Sequence, residues 1–324
     1  MRSAVLLYNP LSGNRQAKRR NQIDAVVEVL RNAQIDAVCI ATRSSADATE
    51  QARQAVAAGY DTVFACGGDG TVNDALQALV GTHTSLGVIP MGTGNVLAHD
   101  LGIPLQPTRA LGAALSGQPR RIAVGKIEYQ DPTGKPAERY FSVVAGIGVD
   151  AHLFRHFDPQ AKQRFGMASY YTKATWLWLT QKMVDFSVEF IDDGGNKFSY
   201  SDVTQMLAVR VRKFGSVMRK LAPETSLNRN DLGLVLFRTK RRLLYLRYVV
   251  RCILNTKWEI PEIENTHAQQ IICPAPGSSK VFVEADGELL GTLPAKISIV
   301  TDAITLLTPS DGATGVSVRP WYKP

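Results

Sequence analysis

Residues 62–74 read TVFACGGDGTVND, and this stretch decides the fold. Its apolar start, followed by glycines and then by a helical pattern, predicts a buried strand, a tight turn and a helix. Glycine allows positive φ and a close approach to a ligand, while the free amides at a helix start favour phosphate. The stretch therefore predicts a phosphate cradle at Gly67, Gly68, Gly70 and Thr71.

Asp69 lies inside this predicted cradle, where a bare carboxylate would repel phosphate. A bridging Mg²⁺ or an acceptor hydroxyl would remove that conflict, so Asp69 indicates phosphoryl transfer rather than binding alone. The alternative is structural, because an aspartate here could cap the helix predicted over 71–80 by accepting its first amides. The residues by themselves leave both interpretations open.

Two further loops should join the cradle. The segment 86–95, LGVIPMGTGN, repeats the strand, loop and helix pattern, and the first strand ends in the polar turn 9–14, NPLSGN. Loops at the carboxyl ends of parallel strands meet at one edge of the sheet, where such sheets bind ligands. The basic residues behind the first turn are Arg15, Lys18, Arg19 and Arg20, and a solvated helix face explains each of them equally well. The sequence has neither a Walker-type segment nor the third glycine of a dinucleotide fingerprint.

The pattern along the chain predicts two domains. Apolar runs alternate with helical stretches up to about residue 120, which is typical of a parallel α/β sheet in a three-layer arrangement. The expected strands are 4–8, 37–40, 62–66 and 86–89, and the expected helices include 16–32 and 47–58. Residues 121–303 predict a β-rich, antiparallel, sandwich-like domain with helical insertions near 168–182 and 240–254. The strand at 304–309 could return to the first domain (1–120), and 310–324 should form a peripheral tail.

Composition limits the possible partners. The 324 residues carry a net charge of +8, which permits nucleic acid, an anionic membrane or a polyphosphate substrate. The four cysteines are far apart, so we expect no disulfide framework or zinc site and a reducing compartment. Glycines and prolines interrupt the longest uncharged stretch, 75–98, and the N-terminus lacks signal-peptide features, so no membrane span is predicted. We expect no nucleic-acid partner, because no recognised module accompanies the charge.

Five motifs, in this order, resemble the diacylglycerol kinase catalytic family, which includes bacterial lipid kinases and sphingosine kinases. They are Asn9-Pro10 with Ser12-Gly13, the loops 67–71 and 90–95, the segment 145–151 (AGIGVDA) and the segment 284–288 (EADGE). The resemblance extends to about Pro309, although the loop 67–71 is also shared with NAD kinases. It implies a two-domain kinase in which the N-terminal loops hold ATP and the β-rich domain admits the lipid.

The resemblance also implies roles for single residues. Glu288 resembles the general base that takes the proton from the lipid hydroxyl, and Asp69 is expected at the reacting phosphates. Asp286 and Asp150 resemble carboxylates of the Mg²⁺ and water network. Without the resemblance, Asp286-Gly287-Glu288 would be interpreted as a hairpin turn, since Asp-Gly is a common turn pair. The residues expected to line the ATP are Asn9, Ser12, Thr42, Gly67, Gly68, Gly70, Thr71, Gly92, Thr93, Gly94 and Asn95.

Two departures from the family keep alternatives open. Residues 228–233 read NRNDLG where many bacterial members have an acidic loop that binds a structural Mg²⁺, and Val96 replaces a frequent aspartate. Diacylglycerol, converted to phosphatidic acid, is the leading acceptor, and a sphingoid base, ceramide or another lipid alcohol is an alternative. The rivals are a NAD kinase and a lipid- or nucleotide-binding protein that has lost catalysis.

The segment 238–254 predicts a basic amphipathic helix, which can lie on anionic lipid. The alternative is an ordinary helix packed on the β-rich domain with a solvated basic edge. One face carries Lys240, Arg247 and Arg251, and another carries Leu243, Leu246, Val250, Ile253 and Leu254. Two further groups could extend this surface, the basic residues Arg210, Arg212, Lys213, Arg219 and Lys220 and the aromatic residues Tyr170, Tyr171, Trp176 and Trp178. We expect a cytoplasmic protein that associates peripherally with the inner membrane face, and a homodimer is left open.

Overall fold

The computed structural model describes residues 1–10, 16–149, 151, 182–192, 194–215, 220–277 and 279–309. The chain divides into two compact units, one formed by Met1–Arg121 with Thr305–Pro324 and the other by Ile122–Ile304. The aromatic cluster at 170–178, most of the helix predicted near it, and the tail 310–324 lie outside the described residues.

A parallel sheet forms the centre of the first unit. Its strands are β1 (Ser3–Tyr8), β2 (Asp36–Ala41), β3 (Thr62–Gly67) and β4 (Ser85–Pro90). Their order is β2-β1-β3-β4, and residues Thr305 and Leu306 of β14 add a further parallel strand beside β4. Every residue of β3 is buried, as expected for a central parallel strand.

Five helices pack on this sheet: α1 (Gln16–Asn32), α2 (Ser45–Ala57), α3 (Asp69–Leu79), α4 (Val96–Leu101) and α5 (Pro107–Ser116). Because β2 and β3 flank β1 on opposite sides, right-handed crossovers place α1 and α2 on opposite faces of the sheet. Helix α1 packs with α5, and α2 packs with α3. The predicted three-layer α/β fold is therefore confirmed.

The second unit is antiparallel. Its described elements are β5 (Gln118–Gln130), β6 (Pro136–Phe141), β7 (Val144–Gly148), β8 (Phe186–Asp192), β9 (Lys197–Val203), β10 (Gln205–Val209), β11 (Leu232–Phe237), α6 (Arg242–Leu254), β12 (Ile263–Cys273), β13 (Phe282–Ala285) and β14 (Glu288–Thr308). The sheet runs β14-β13-β7-β10-β11-β12, and β12 pairs again with β14 at residues 270–273. The strands therefore close on themselves around a core that includes Phe141, Ile147, Met206 and Leu234. The β-rich domain predicted from the sequence is confirmed.

A buried arginine supports one end of this second unit. Arg210 follows β10 and is only 1% exposed. Its guanidinium donates to the backbone carbonyls of Arg229 (3.0 Å), Asp231, Ala123 (2.9 Å) and Leu227 (3.2 Å). Burial lowers the pKa of Arg210 to about 10, so the group stays protonated at neutral pH. The Arg210 guanidinium thus links β5 to the loop before β11.

The 228–233 segment belongs to the loop that Arg210 supports. Its carboxylate, Asp231, accepts from Arg229 Nε at 2.8 and 2.9 Å and lies 3.4 Å from His267 Nδ1. Asp231 is the one carboxylate of this segment, and it pairs with Arg229 and lies beside His267. The carbonyls of the loop accept hydrogen bonds from the Arg210 guanidinium.

We predict that Arg210→Ala destabilises the second unit by at least about 3 kcal/mol, because buried carbonyls lose their donors. Urea denaturation together with hydrogen exchange of the β11 amides would measure this loss. Arg53→Ala is the control, since Arg53 is an exposed residue and its surface pair with Glu50 contributes little to stability. Equal losses in the two variants would contradict an internal support by Arg210.

Candidate functional site

The carboxyl ends of four parallel strands lie at one edge of the first unit. Tyr8, at the end of β1, is in register with Ala41 of β2 and Cys66 of β3, and Gly67 is in register with Pro90 of β4. The loops that follow these strands therefore start side by side. Strand β2 lies on one side of β1 and strand β3 lies on the other, so the order of the strands reverses at β1. Such a reversal is a topological switch point, and it opens a crevice at this edge of the sheet.

The turn after β3 leads directly into helix α3. Gly68 is the N-cap residue, and as a glycine it has no side chain that could cap the helix. The first-turn amides of a helix have no partner inside the helix, so Gly70 and Thr71 can offer theirs to a ligand. A Cβ at Gly67 would lie 2.3 Å from Thr71 Oγ1, so glycine is required there for packing. The predicted cradle has the geometry of an anion site.

The two glycine turns touch each other through their backbones. A Cβ on Gly92 would lie 2.4 Å from the Cα of Gly68, and one on Gly68 would lie 3.2 Å from the Cα of Gly92. Backbone atoms cannot move aside as a flexible side chain can. Glycine at Gly92 is therefore a requirement of this contact.

Asn95 folds the second turn onto itself. Its side-chain amide donates to the Gly92 carbonyl and accepts from the Gly92 N–H, both at 2.9 Å. Asn95 has a φ of 45°, a left-handed conformation that asparagine tolerates better than most residues. Gly92, Thr93 and Gly94 are consequently held in an exposed turn directly beside Gly68.

Asp69 joins the two turns. One of its carboxylate oxygens accepts a hydrogen bond from the N–H of Val96 at 2.7 Å. Val96 is the first residue of α4. The Asp69 carboxylate therefore caps the start of α4, which the capping alternative did not include. Burial raises the pKa of Asp69, and backbone amides act against that rise, namely those of Val96, Leu97 and Asn95 and that of Asp69 itself at the start of α3. The carboxylate is thus committed to backbone amides.

Arg19 and Thr42 complete the edge of the sheet. The Arg19 guanidinium donates to the carbonyls of Asn9 (2.9 Å) and Met91 (3.0 Å), so it connects the end of β1 with the second glycine turn. Thr42 is buried, and its hydroxyl donates to the Tyr8 carbonyl at 3.3 Å. Ser12 and Arg15 lie outside the described residues.

In the second unit, Asp286 and Gly287 form a two-residue hairpin between β13 and β14. Both have positive φ, 48° and 83°, which is the pattern of a type I′ turn. The Asp286 carboxylate accepts from the N–H groups of Ser142 (2.9 Å), Val143 (2.9 Å) and Val144 (3.0 Å) and from the Ser142 hydroxyl (3.3 Å). The hairpin interpretation is confirmed, and the aspartate fastens the hairpin to the start of β7.

The Asp286 carboxylate does not fit a direct Mg²⁺ ligand. Each of its oxygens already accepts two hydrogen bonds from the loop at 142–144, which fills the acceptor sites of a carboxylate. Asp150 lies outside the described residues, and the described residues hold no cluster of three or more metal-ligating side chains. The metal role that the resemblance implies for Asp286 and Asp150 stays a prediction, and we derive no step through Mg²⁺.

Glu288 is the first residue of β14 and directly follows the hairpin. Its carboxylate lies 2.5 Å from the Arg139 guanidinium on β6, and its side chain is 39% exposed. The neighbouring Glu284 is buried and accepts from the Gly287 N–H at 3.0 Å. Glu288 is therefore the carboxylate of this hairpin that a substrate hydroxyl can reach. Arg139 was not expected from the sequence, because nothing in the β6 pattern distinguishes it from an ordinary surface arginine.

A small, half-open recess lies in the second unit beside Gly148 at the end of β7. Lys182 and Lys280 line it together with the apolar side chains of Val149, Val281 and Phe282. No helix in the described part of the chain is long and apolar enough to cross a bilayer.

Glycine turns that present helix amides at the carboxyl edge of a parallel sheet define a phosphate-binding domain, and with an antiparallel domain attached they are typical of two-domain kinases. Residues 3–127 match the diacylglycerol kinase catalytic domain, and residues 142–308 match the YegS C-terminal NAD kinase beta sandwich-like domain. The chain belongs to the diacylglycerol kinase family and is a kinase.

Individual proteins agree with this assignment. A diacylglycerol kinase of Mycobacterium tuberculosis is 30% identical over 94% of this chain and 95% of its own length. The crystal structure of a candidate diacylglycerol kinase from Bacillus anthracis superposes with a TM-score of 0.74 at 20% identity, covering 95% of this chain and 96% of that one. Yeast NADH kinase shares the fold at a TM-score of 0.51 and 9% identity, covering 99% of this chain and 90% of its own.

We predict that Asp286→Asn lowers the stability of the second unit by about 2 kcal/mol, because an amide NH₂ would face backbone N–H donors. Asp131→Asn is the matched control, since Asp131 also sits in a hairpin turn but accepts only from that turn, at Thr133 and Lys135. The loss of stability in Asp131→Asn should be clearly smaller than that in Asp286→Asn, because the hydrogen bonds of Asp131 lie in a turn that is exposed to solvent. Hydrogen exchange of the amides at 142–144 reports on the contact directly, and unchanged protection in Asp286→Asn would contradict the assignment.

Proposed function

We propose that this kinase transfers the γ-phosphoryl group of ATP to the hydroxyl of diacylglycerol and so produces phosphatidic acid and ADP. The observation that carries the proposal is the backbone contact between the turns at Gly68 and Gly92, beside the uncapped start of α3. Two exposed turns with free amides suit the phosphates of a nucleotide. Family membership and the relative from Mycobacterium tuberculosis support a lipid acceptor.

Under this proposal the first unit binds ATP through backbone groups. The amides of Gly70 and Thr71 donate to the phosphates, and the exposed turn Gly92–Asn95 contacts the nucleotide from the neighbouring strand. Asn9 and Thr42 act through the backbone at the ends of β1 and β2, since the Thr42 side chain is buried. Asp69 orients the second turn rather than the acceptor hydroxyl, because its carboxylate holds the start of α4.

The chemical step requires one base. Glu288 accepts the proton of the lipid hydroxyl, that oxygen forms a bond to the γ-phosphorus, and the bond from the γ-phosphorus to the β,γ-bridging oxygen breaks to release ADP. The Arg139 guanidinium, 2.5 Å away, orients the Glu288 carboxylate for this step. Asp286 contributes as a positioning residue, because it fixes the turn from which Glu288 extends.

Other acceptors and rivals have less support. A sphingoid base, ceramide or another lipid alcohol offers the same hydroxyl chemistry. The NAD kinase alternative rests on the loop 67–71 and on a distant likeness of fold at 9% identity. A non-catalytic binding protein was suggested by the missing acidic side chains near 228–233. Because Arg210 holds that loop instead, their absence gives no reason to expect inactivity.

We further propose that the enzyme works peripherally at the cytoplasmic membrane face. Diacylglycerol resides in the bilayer and ATP in the cytoplasm, so an enzyme that uses both must reach that boundary. The net charge of +8 suits an anionic surface.

The acceptor can be identified by incubating the chain with labelled ATP and a panel of lipid alcohols in mixed micelles, followed by mass analysis of the product. We expect diacylglycerol to give phosphatidic acid and Glu288→Gln to lower the rate of lipid-stimulated ADP release about 100-fold or more. Glu128→Gln is the control, since Glu128 is an exposed carboxylate beside Lys126. A phosphorylated nicotinamide nucleotide, or equal rates for wild type and Glu288→Gln, would reject the proposal.

The glycine contact makes a separate prediction about nucleotide binding. Gly92→Ala forces the two turns apart, because the new Cβ meets the Gly68 backbone at 2.4 Å. We expect calorimetric titration with a non-hydrolysable ATP analogue to show affinity at least tenfold weaker, about 1.4 kcal/mol. Gly112→Ala in α5 is the control, since its Cβ would meet nothing within 4 Å. Equal affinities in the two variants would refute the role of the contact.

A further inference from the structure

Helix α6 is anchored to the second unit by its aromatic face. Tyr245 stacks on Phe237 at 4.5 Å between ring centroids, and Tyr248 meets the same ring edge-on at 5.0 Å. The Tyr245 hydroxyl hydrogen-bonds with Thr204 at 2.6 Å, and the Tyr248 hydroxyl donates to the Leu221 carbonyl. With Cys252, these tyrosines form the buried face of the helix, so its orientation is well defined.

The opposite face of α6 is apolar and exposed. Leu243 is 78% exposed, Leu246 51% and Leu254 58%, while Ile253 is 42% exposed and Val250 half-buried. At 3.6 residues per turn these positions fall within an arc of about 100°, directly opposite the buried tyrosines. We call these five residues the outer stripe. Single exposed leucines are ordinary on protein surfaces, but a continuous stripe marks an interaction surface.

The border of the outer stripe is basic on one side. The segment 238–258 contains Arg and Lys residues but no Asp or Glu, and its Arg238 and Lys240 pair with Asp202 and Asp185 of other segments. Arg247 borders the stripe, is exposed and has no ion pair among the described residues. Arg251 borders it on the same side and lies over the Tyr248 ring at 4.6 Å. An apolar strip with a cationic border matches the interface of a bilayer that contains anionic lipid.

We propose that the outer stripe inserts into the headgroup region of an anionic bilayer and so brings the second unit to its lipid substrate. This inference rests on the proposed function and adds the surface of the protein through which it contacts the membrane. A second copy of the chain fits less well, because antiparallel pairing of two stripes would bring their arginine borders together, where like charges are costly, and parallel pairing would give those borders no anionic partner. A bilayer satisfies the apolar strip and the cationic border at the same time.

The test is cosedimentation of the full chain with extruded vesicles of phosphatidylcholine containing phosphatidylglycerol, compared with phosphatidylcholine alone. We expect wild type to bind the anionic vesicles and the double variant Leu243→Ser, Leu246→Ser to bind at least tenfold more weakly. Arg247→Gln should weaken binding to anionic vesicles only. Leu105→Ser, which removes an exposed leucine of the first unit, is the matched control and should bind as wild type does.

A second measurement follows insertion itself. Cys39 is the exposed cysteine, whereas Cys66, Cys252 and Cys273 are buried, so Leu246→Cys in a Cys39→Ser background offers one accessible thiol in the described part of the chain. An environment-sensitive dye there should shift to the blue with anionic vesicles. A dye at Leu105→Cys in the same background should not shift.

Three results would overturn the inference. They are equal vesicle binding by wild type and the Leu243, Leu246 double variant, no dye shift at position 246, and conversion of a wild-type dimer to a monomer by the double variant in analytical ultracentrifugation. Activity on a short-chain diacylglycerol dispersed as monomers separates this inference from the proposed function. The double variant should retain that activity if only docking is lost. Absence of activity in wild type would reject the function and leave the docking result standing.

Discussion

The contact between the backbones of Gly68 and Gly92 is the constraint on which the site of the first unit depends. Two turns from neighbouring strands can approach this closely only when neither carries a Cβ at the point of contact. Asp69 then fixes the start of α4, and Asn95 closes the second turn on Gly92. Arg19 adds a bond from α1 to the same turn. Four separate segments are thus held at one edge of the sheet, and the groups that remain exposed there are the turns themselves and the first amides of α3.

Much of this arrangement could be predicted from local sequence. Strands β1 to β4 begin and end within one residue of the predicted positions, because buried parallel strands are short apolar runs bounded by polar turns. The helix 16–32 was also predicted at its observed bounds. The partners of charged side chains could not be predicted. Asp69 bonds to a residue 27 positions away, and Asp286 bonds to residues 142 to 144 positions away, and no local pattern specifies such pairs.

Helix α6 shows a different limit. Periodicity correctly separated a leucine face from the arginines, but it could not decide which face contacts the sheet. The leucines would be the ordinary core face, and yet Tyr245 and Tyr248 occupy that position. Tyrosine suits it because Thr204 and the Leu221 carbonyl lie where the hydroxyls can bond, and a leucine would leave those polar groups without that partner. The polar content of the underlying sheet therefore determines the orientation, and this information lies in β10 and the loop before β11 rather than in the helix.

Arg19, Arg210 and Asp286 follow one physical logic, although they lie in different parts of the fold. Each is a charged group wholly or partly removed from water, and each is compensated mainly by backbone carbonyls or amides of a loop. Compensation of this kind fixes loop geometry, because a backbone dipole cannot turn away without moving the chain. The compensation is complete for the Asp286 carboxylate, whose two oxygens each accept two hydrogen bonds. It is incomplete for Arg210, whose Nε is buried without a hydrogen-bond partner among the described residues. These charges therefore act on the structure through the loops that they hold in place.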